Sequence, residues 1–479
     1  MDIQKSVAIA AIDTVAEDIC RVSDAIWEVP ELGFHEYKSS ALQIGLLKQL
    51  GFEVTEQVGN IPTAFSARYG SGKPVIGILG EFDALDNLNQ VAGATHKECF
   101  IEGAPGHGCG HNLFGVGSLA AAIAVKEYLK ETGASGTVVY FGTPGEEGGS
   151  GKAFMAREGC FDQLDAAITW HPGSVNVASN NSSLANIQVK FKYYGISAHA
   201  AGDPHNGRSA LDAVELLNIG VQFLREHMIP EARIHYAITN AGGFSPNVVQ
   251  PYAEVLYLIR APKNALAKDL YDRVMKIAKG AELMTETRME YEFIKACSNV
   301  VNNVVLESQL DKNLHNVPLP EYTEEEMALA AEYKESSKQF AVDLAEKHMA
   351  GGPEVVKYIK EHVGGPLNNF IMPYYPSGKA MGGSTDVGDV SWVCPTAQIS
   401  AVTLAADTPG HSWQIVSQGK SSIAHKGMLY AGKVMAATVI DLMKDPELLA
   451  AAKAEHAERV GPDGYICPIP KGVKPQPIK

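Results

Sequence analysis

The stretch Gly106-His107-Gly108-Cys109-Gly110-His111-Asn112 runs straight into a small-residue segment, Leu113 to Thr132, and the rest of the chain reads outward from it. Cys109 and His111 are two residues apart, whereas side chains sharing a helical face recur three or four apart. The spacing therefore places both in a glycine-permitted loop that opens a helix. Unpaired N–H groups and the positive end of the dipole at such a terminus favour a thiolate, the form of cysteine that binds metal.

The 479 residues, 46% of them apolar, can bury a large core and exceed one typical domain, so two are expected. A net charge of −15, with no long Lys/Arg patch, argues against nucleic acid or an anionic membrane surface as partner. The seven cysteines (Cys20, Cys99, Cys109, Cys160, Cys297, Cys394 and Cys467) are odd in number and scattered, without a Cys-x-x-Cys pair. Together with the absence of a secretory pattern near Met1, they predict a reducing, cytoplasmic compartment. No apolar run of about 18 residues occurs, so no membrane span is expected. The tail from Pro468 to Lys479 is expected to lie on the surface.

Apolar residues at Ile12, Val15, Ile19, Val22 and Ile26 mark a helical stripe that must stop before Pro30, and a second helix is predicted around Ser39 to Leu50. Lys73-Pro-Val-Ile-Gly-Ile-Leu-Gly reads as a buried strand ending at Glu81-Phe-Asp83. Thr137 to Gly142 ends in Thr143-Pro-Gly-Glu146-Glu147-Gly-Gly, and Ala166 to Trp170 ends in His171-Pro172. Strands alternating with helices predict an α/β fold, whose ligands collect at the carboxyl ends of the strands. Asp83, Glu146, Glu147 and His171 all fall there.

From about Asn186 the order becomes strand, helix, two strands, helix, strand, the split βαβ pattern of a ferredoxin-like α+β unit inserted into the first domain. The predicted division is 1–185 and 300–479 for a mixed-sheet catalytic domain and 186–299 for the insertion. Thr323-Glu-Glu-Glu326 reads as a capping box opening a charged helical stretch to about His348, within an exposed embellishment at about 321–363. A last long helix is predicted from about Ser421 to Met443.

A pair of divalent ions needs several donors plus one carboxylate left free as base. Cys109, His111, Glu147, His171 and His411 are the candidate ligands and Glu146 the free acid. Two other readings fit the residues. His96, Cys99, His107, Cys109 and His111 could wrap a structural zinc, or Cys109 beside His107 or His111 could act as the nucleophile of a thiol amidase.

His107-x-Cys109-Gly-His111, Pro-Gly-Glu146-Glu147-Gly-Gly, His171, Ser197-Ala-His199-Ala-Ala and the late His411 resemble, in order and over nearly the full length, the M20 metallopeptidases and amidohydrolases. The likeness is to the branch with a cysteine as metal ligand. The resemblance implies a di-metal site held by Cys109, His111, Glu147, His171 and His411, manganese first and zinc second, with Glu146 as general base. It implies that the inserted unit is a lid that also forms a homodimer contact; a heteromer with a paralogous chain is the alternative. His199 matches the residue that reaches into the partner's site to hold the oxyanion, and Asn247 and Arg260 match positions that hold the substrate carboxylate. Hydrolysis of an N-acyl or N-aroyl amino acid such as p-aminobenzoyl-glutamate is the implied activity. A dipeptide, an indole-acyl amino acid, or a partner role for a catalytic paralogue are the alternatives. Asn112 and Thr385 depart from the residues common in relatives, and Asp83 is a candidate to orient a ligand.

Overall fold

The computed structural model describes residues 2–477. Eleven strands form two sheets: β1 (Glu53–Glu56), β2 (Phe65–Ser71), β3 (Val75–Gly80), β4 (Gly136–Gly142), β5 (Ala166–Gly173), β6 (Val177–Ala178), β7 (Ala185–Tyr194), β8 (Arg233–Asn240), β9 (Tyr252–Ala261), β10 (Arg288–Cys297) and β11 (Thr396–Val402). The larger sheet has the order β1-β2-β4-β3-β5-β11-β6. Its centre, β4-β3-β5-β11, is parallel, and the flanking pairs are antiparallel. β3 and β4 are buried along their whole length, which is why their sequences are apolar without alternation. The mixed α/β architecture is that read from the sequence.

The helix His111–Thr132 lies buried against this sheet and against the helix Ser422–Lys444. Its small residues permit the approach. A Cβ on Gly117 would sit 2.6 Å from the Trp170 ring, and one on Gly432 would come within 3.0 Å of Ala120. Lys5 on the first helix, Ile3–Thr14, fastens the start of the chain to its end through Asn313 (2.9 Å) and Asp441 (2.6 Å).

The smaller sheet has the order β10-β7-β9-β8, fourth, first, third, second in chain order, all antiparallel. Helices Ala210–Leu224 and Asn264–Thr285 cover one face through Val214, Leu217, Val221, Leu270 and Val274. β8 is an edge strand.

Several expectations need correction. The first stripe is two helices, Ile3–Thr14 and Ala16–Glu28, broken at Val15. The Thr323 capping box is present, but its helix ends at Ser337, and short turns separate it from Leu344–Lys347 and Pro353–His362. The segment is largely exposed, as expected of an embellishment, but one part of it is anchored in the core. Tyr333 is fully buried, its hydroxyl 2.7 Å from Ser417 Oγ, and with Ala330 it packs against Val402, Ala405 and Ile423. The tail is partly tucked in: Ile469 is buried, and Arg157 donates to the carbonyls of Pro470 and Val473. Its last two residues, Ile478 and Lys479, lie outside the described residues.

Candidate metal centre

The carboxyl ends of β3, β4, β5 and β11 open on one side of the sheet, and the expected metal ligands and Glu146 gather there. His111 is not in the loop but is the first residue of its helix, behind Gly110 in a left-handed turn (φ 77°) that a Cβ would strain. Its ring is buried. Nδ1 lies 2.9 Å from Asp83 Oδ1, while the other oxygen of Asp83 accepts the backbone N–H of Glu147 at 2.9 Å. Asp83 thus orients the imidazole and the Glu146-Glu147 turn together, and aims Nε2 into the cluster.

His171, near the end of β5, has Nδ1 2.7 Å from the carbonyl oxygen of Pro172, so Nδ1 carries the proton and Nε2 presents a lone pair. That Nε2 is 3.4 Å from Cys109 Sγ. His411 arrives from the loop after β11 in a left-handed conformation (φ 48°), with Nε2 3.4 Å from Glu147 Oε2. Three sets of donor atoms each lie within 4.8 Å of one another: Cys109, His111 and His171; Cys109, Glu147 and His411; and Glu81, His111 and Glu146. None of them includes His96, Cys99 or His107, the extra members of the structural-zinc reading.

Two buried donors fit a cation in particular. His111 Nε2 and Glu147 Oε1, 4.0 Å apart, have no hydrogen-bond partner. Glu81 Oε2 is 3.2 Å from His111 Nε2 but outside hydrogen-bonding geometry. Buried polar atoms are rarely left unpaired, and the first two are of types that ligate divalent ions.

The electrostatics reverse one expectation. Burial pushes the Cys109 thiol up to about 12, His111 pulling against it and the carboxylates of Glu147 and Glu146 adding to it. Desolvation is the largest of these influences, and a cation beside the thiol would oppose it. Burial, with Glu81, Glu147 and Asp386 nearby, holds the Glu146 carboxyl well above the usual range. Burial and the neighbouring His111 pull the His171 imidazole down to about 4, favouring the neutral ring that ligates metal.

The sequence reading did not single out two supports of this cluster. Lys152 is fully buried, its ammonium 2.6 Å from Glu81 Oε1 and 2.7 Å from Asp386 Oδ1, while its backbone N–H donates to Asp386 Oδ2. Glu36, also fully buried, accepts the Gly145 N–H at 2.8 Å and the Thr63 hydroxyl at 2.8 Å. It pins the residue before Glu146. Phe34 packs its ring where Cβ atoms on Gly145 and Gly149 would go, so the glycines of the turn are required by close approach.

The three residues expected on the inserted unit stand apart from the cluster. Among the described residues, no hydrogen bond or ion pair joins His199, Asn247 or Arg260 to it. His199 and Asn247 are exposed neighbours, Ala200 N–H donating to the Asn247 carbonyl. Arg260 donates from Nη1 to Ser384 Oγ at 3.2 Å, two residues before Asp386.

The comparisons agree with this architecture. The model of peptidase family M20/M25/M40 matches residues 78–464. The chain is 49% identical over 471 residues to one of the p-aminobenzoyl-glutamate hydrolase subunits of Escherichia coli (strain K12), covering 98% of each chain. It is 28% identical to the Xaa-Arg dipeptidase of Mus musculus, over 95% of this chain and 92% of that one. A solved structure of a dinuclear metal-binding peptidase of the M20 family from Bacillus subtilis shares the fold, with a TM-score of 0.55 at 14% identity, over 90% of this chain and 99% of that one. No helix among the described residues is long and apolar enough to cross a membrane. The chain therefore belongs to peptidase family M20/M25/M40 and is a hydrolytic enzyme.

Proposed function

We propose that the chain is a metal-dependent amide hydrolase that cleaves an N-acyl or N-aroyl amino acid, p-aminobenzoyl-glutamate first among them. The observation that carries this reading is the convergence of Cys109, His111, Glu147, His171 and His411 around unpartnered buried donors, with Glu146 beside them. The near full-length likeness to a p-aminobenzoyl-glutamate hydrolase chain supports the substrate.

In this reading those five residues hold two divalent cations, manganese or zinc. A thiolate, imidazoles and a carboxylate suit both, and a pair of such ions would supply Lewis acidity and acidify a water. Asp83 holds the His111 ring so that Nε2 faces the centre. Glu146, the carboxylate not used as a ligand, takes the proton from the attacking water and returns it to the leaving amide nitrogen. The raised thiol of Cys109 weighs against a covalent thiol route.

The inserted unit acts as lid and dimer contact in the same reading. Ile219 and Phe223 are exposed on one side of the Ala210–Leu224 helix, and Tyr236 and Ile238 on the unpaired edge strand β8. Such a surface calls for a partner, a second copy of this chain or a paralogous one. His199 Nδ1 accepts the N–H groups of Ala201 and Gly202, so a neutral ring carries its proton on Nε2, the donor that an oxyanion in the partner's site requires. Asn247 and Arg260 would hold the substrate α-carboxylate. The seven free cysteines support the expected cytoplasmic setting.

The test is hydrolysis of p-aminobenzoyl-glutamate by the chain purified alone, with metal counted per chain. Glu146→Gln is expected to lose turnover by about 100- to 10,000-fold while retaining metal. Full activity in that variant removes Glu146 from the mechanism, and no activity in the metal-replete wild type transfers the reaction to a paralogous partner or a different substrate.

A further inference from the structure

A cleft of about 530 Å³ opens where the smaller sheet meets the loop before Asp386, lined by Glu231, Arg233, His235, Arg260, Met381 and Gly382 among others. The sheet register explains its charge. Arg233 on β8 stands directly opposite Arg260 on β9, and His235 follows two residues on, so all three side chains share one face. Ile234 and Ile259, between them in the alternation, are buried on the other face.

The two arginines are not neutralised. Carboxylates lie within 4.0 Å of Arg21, Arg157, Arg208, Arg273, Arg288 and Arg459, but among the described residues none lies that close to Arg68, Arg225, Arg233 or Arg260. Glu231 lines the cleft without forming such a pair. Arg260 Nε is buried with no acceptor. Arg233 spends Nη1 on the carbonyls of Pro230 and Ala232, which fixes the guanidinium and leaves its other edge free. Burial lowers the His235 imidazole pKa, and Arg260, Arg225 and Arg233 lower it further, which shows how positive the surroundings are.

The loop ties the cleft to the candidate metal centre. Arg260 bonds Ser384, Asp386 bonds Lys152, and Lys152 bonds Glu81 beside His111. One carboxylate on Arg260 leaves a second cationic position open next to it. The two carboxylates of glutamate are separated by three carbon atoms, a span suited to neighbouring positions on adjacent strands.

We propose that Arg233 and His235 form a second carboxylate pocket beside Arg260, so that the enzyme selects amides of a dicarboxylic amino acid over those of neutral or cationic ones. The inference rests on the amide-hydrolase reading above and adds the side-chain subsite to it. An arginine side chain entering the same cleft meets like charge, which discriminates by repulsion as well as attraction.

The experiment compares kcat/KM for p-aminobenzoyl-L-glutamate and p-aminobenzoyl-L-glutamine, which differ only in the charge on the side-chain carbonyl. The ratio of the two is the readout, because loss of folded protein cancels in it. Wild type is expected to favour the glutamate by about tenfold to a hundredfold, the range of a charge-assisted hydrogen bond. Arg233→Gln is expected to bring the ratio close to one, and His235→Asn to lower it by a smaller factor. A wild-type ratio near one with good turnover overturns this inference and leaves the amide-hydrolase reading standing, and so does an unchanged ratio in Arg233→Gln. Hydrolysis of neither substrate by the metal-replete enzyme overturns both.

Discussion

Replacing Lys152 by methionine keeps most of the side-chain volume and removes one charge. In the folded protein that ammonium sits between Glu81 Oε1 (2.6 Å) and Asp386 Oδ1 (2.7 Å), with no exposure to solvent. The variant leaves two carboxylates buried without their cation. Breaking a buried ion pair from one side costs about 3–5 kcal/mol, because the abandoned charge can neither reach water nor find a new partner. Here one substitution abandons two charges, so the upper part of that range is expected. Denaturant unfolding of the chelator-treated protein measures it without the stabilisation that bound metal would add. The triple variant Lys152→Met, Glu81→Gln, Asp386→Asn removes every buried charge of the triad and should recover most of the loss, since neutral amides carry a far smaller desolvation penalty than carboxylates. A loss below about 1 kcal/mol in Lys152→Met, or a triple variant no better than the single one, would refute the argument that this triad is an electrostatic unit.

Glu36→Gln keeps an acceptor for the Gly145 N–H and is expected to stay close to wild type in stability and kcat. Glu36→Ala strands that N–H at a cost of about 1–3 kcal/mol, and the loosened turn should lower kcat more than it raises KM; equal kinetics in the two variants would discount the anchor. His425 Nε2 lies 2.9 Å from Asp24 Oδ1. Burial opposes the charged ring, but Asp24 and Cys20 outweigh it and raise its pKa to about 9. The contribution is therefore complete below the unfolded value near 6.5 and lost as pH rises through about 9, so the stability difference between wild type and Asp24→Asn should shrink over that window in pH-dependent thermal melts. On the proposed dimer contact, Phe223→Asp on the exposed helix face should shift sedimentation towards the monomer, and equal sedimentation of the variant and wild type would refute that contact.

The parallel strands and the small-residue helix are legible because whole-length burial leaves an uninterrupted apolar signature, and the gathering of candidate donors at the strand ends follows from that topology. The alternation of strands and helices after Asn186 likewise matched the observed order. Glu36 and Lys152 escaped notice for a physical reason: a charged residue is usually solvated, and nothing local marks one whose partners are distant in the chain, as Asp386 is from Lys152. At Cys109 a helix terminus argues for a thiolate, whereas the desolvation that opposes it is set by tertiary packing and leaves no local signature. The end of the helix after Thr323, short of His348, is not legible because the charge pattern resembles helix even through the turn at Lys338–Phe340, and its buried Tyr333 gives no signal of the groove that receives it.

The position of β11 has a consequence for biosynthesis. It pairs in parallel with β5, next to the edge strand β6 of the larger sheet, yet both it and the loop carrying His411 leave the ribosome only after all four strands of the smaller sheet. Pairings of such long sequence separation form late in folding. Until then β5 presents an open flank and the candidate donors already made lack His411. On the proposed ligand set, a nascent or prematurely terminated chain would be unable to assemble all five donors, and hydrolytic competence would be withheld until translation has nearly finished.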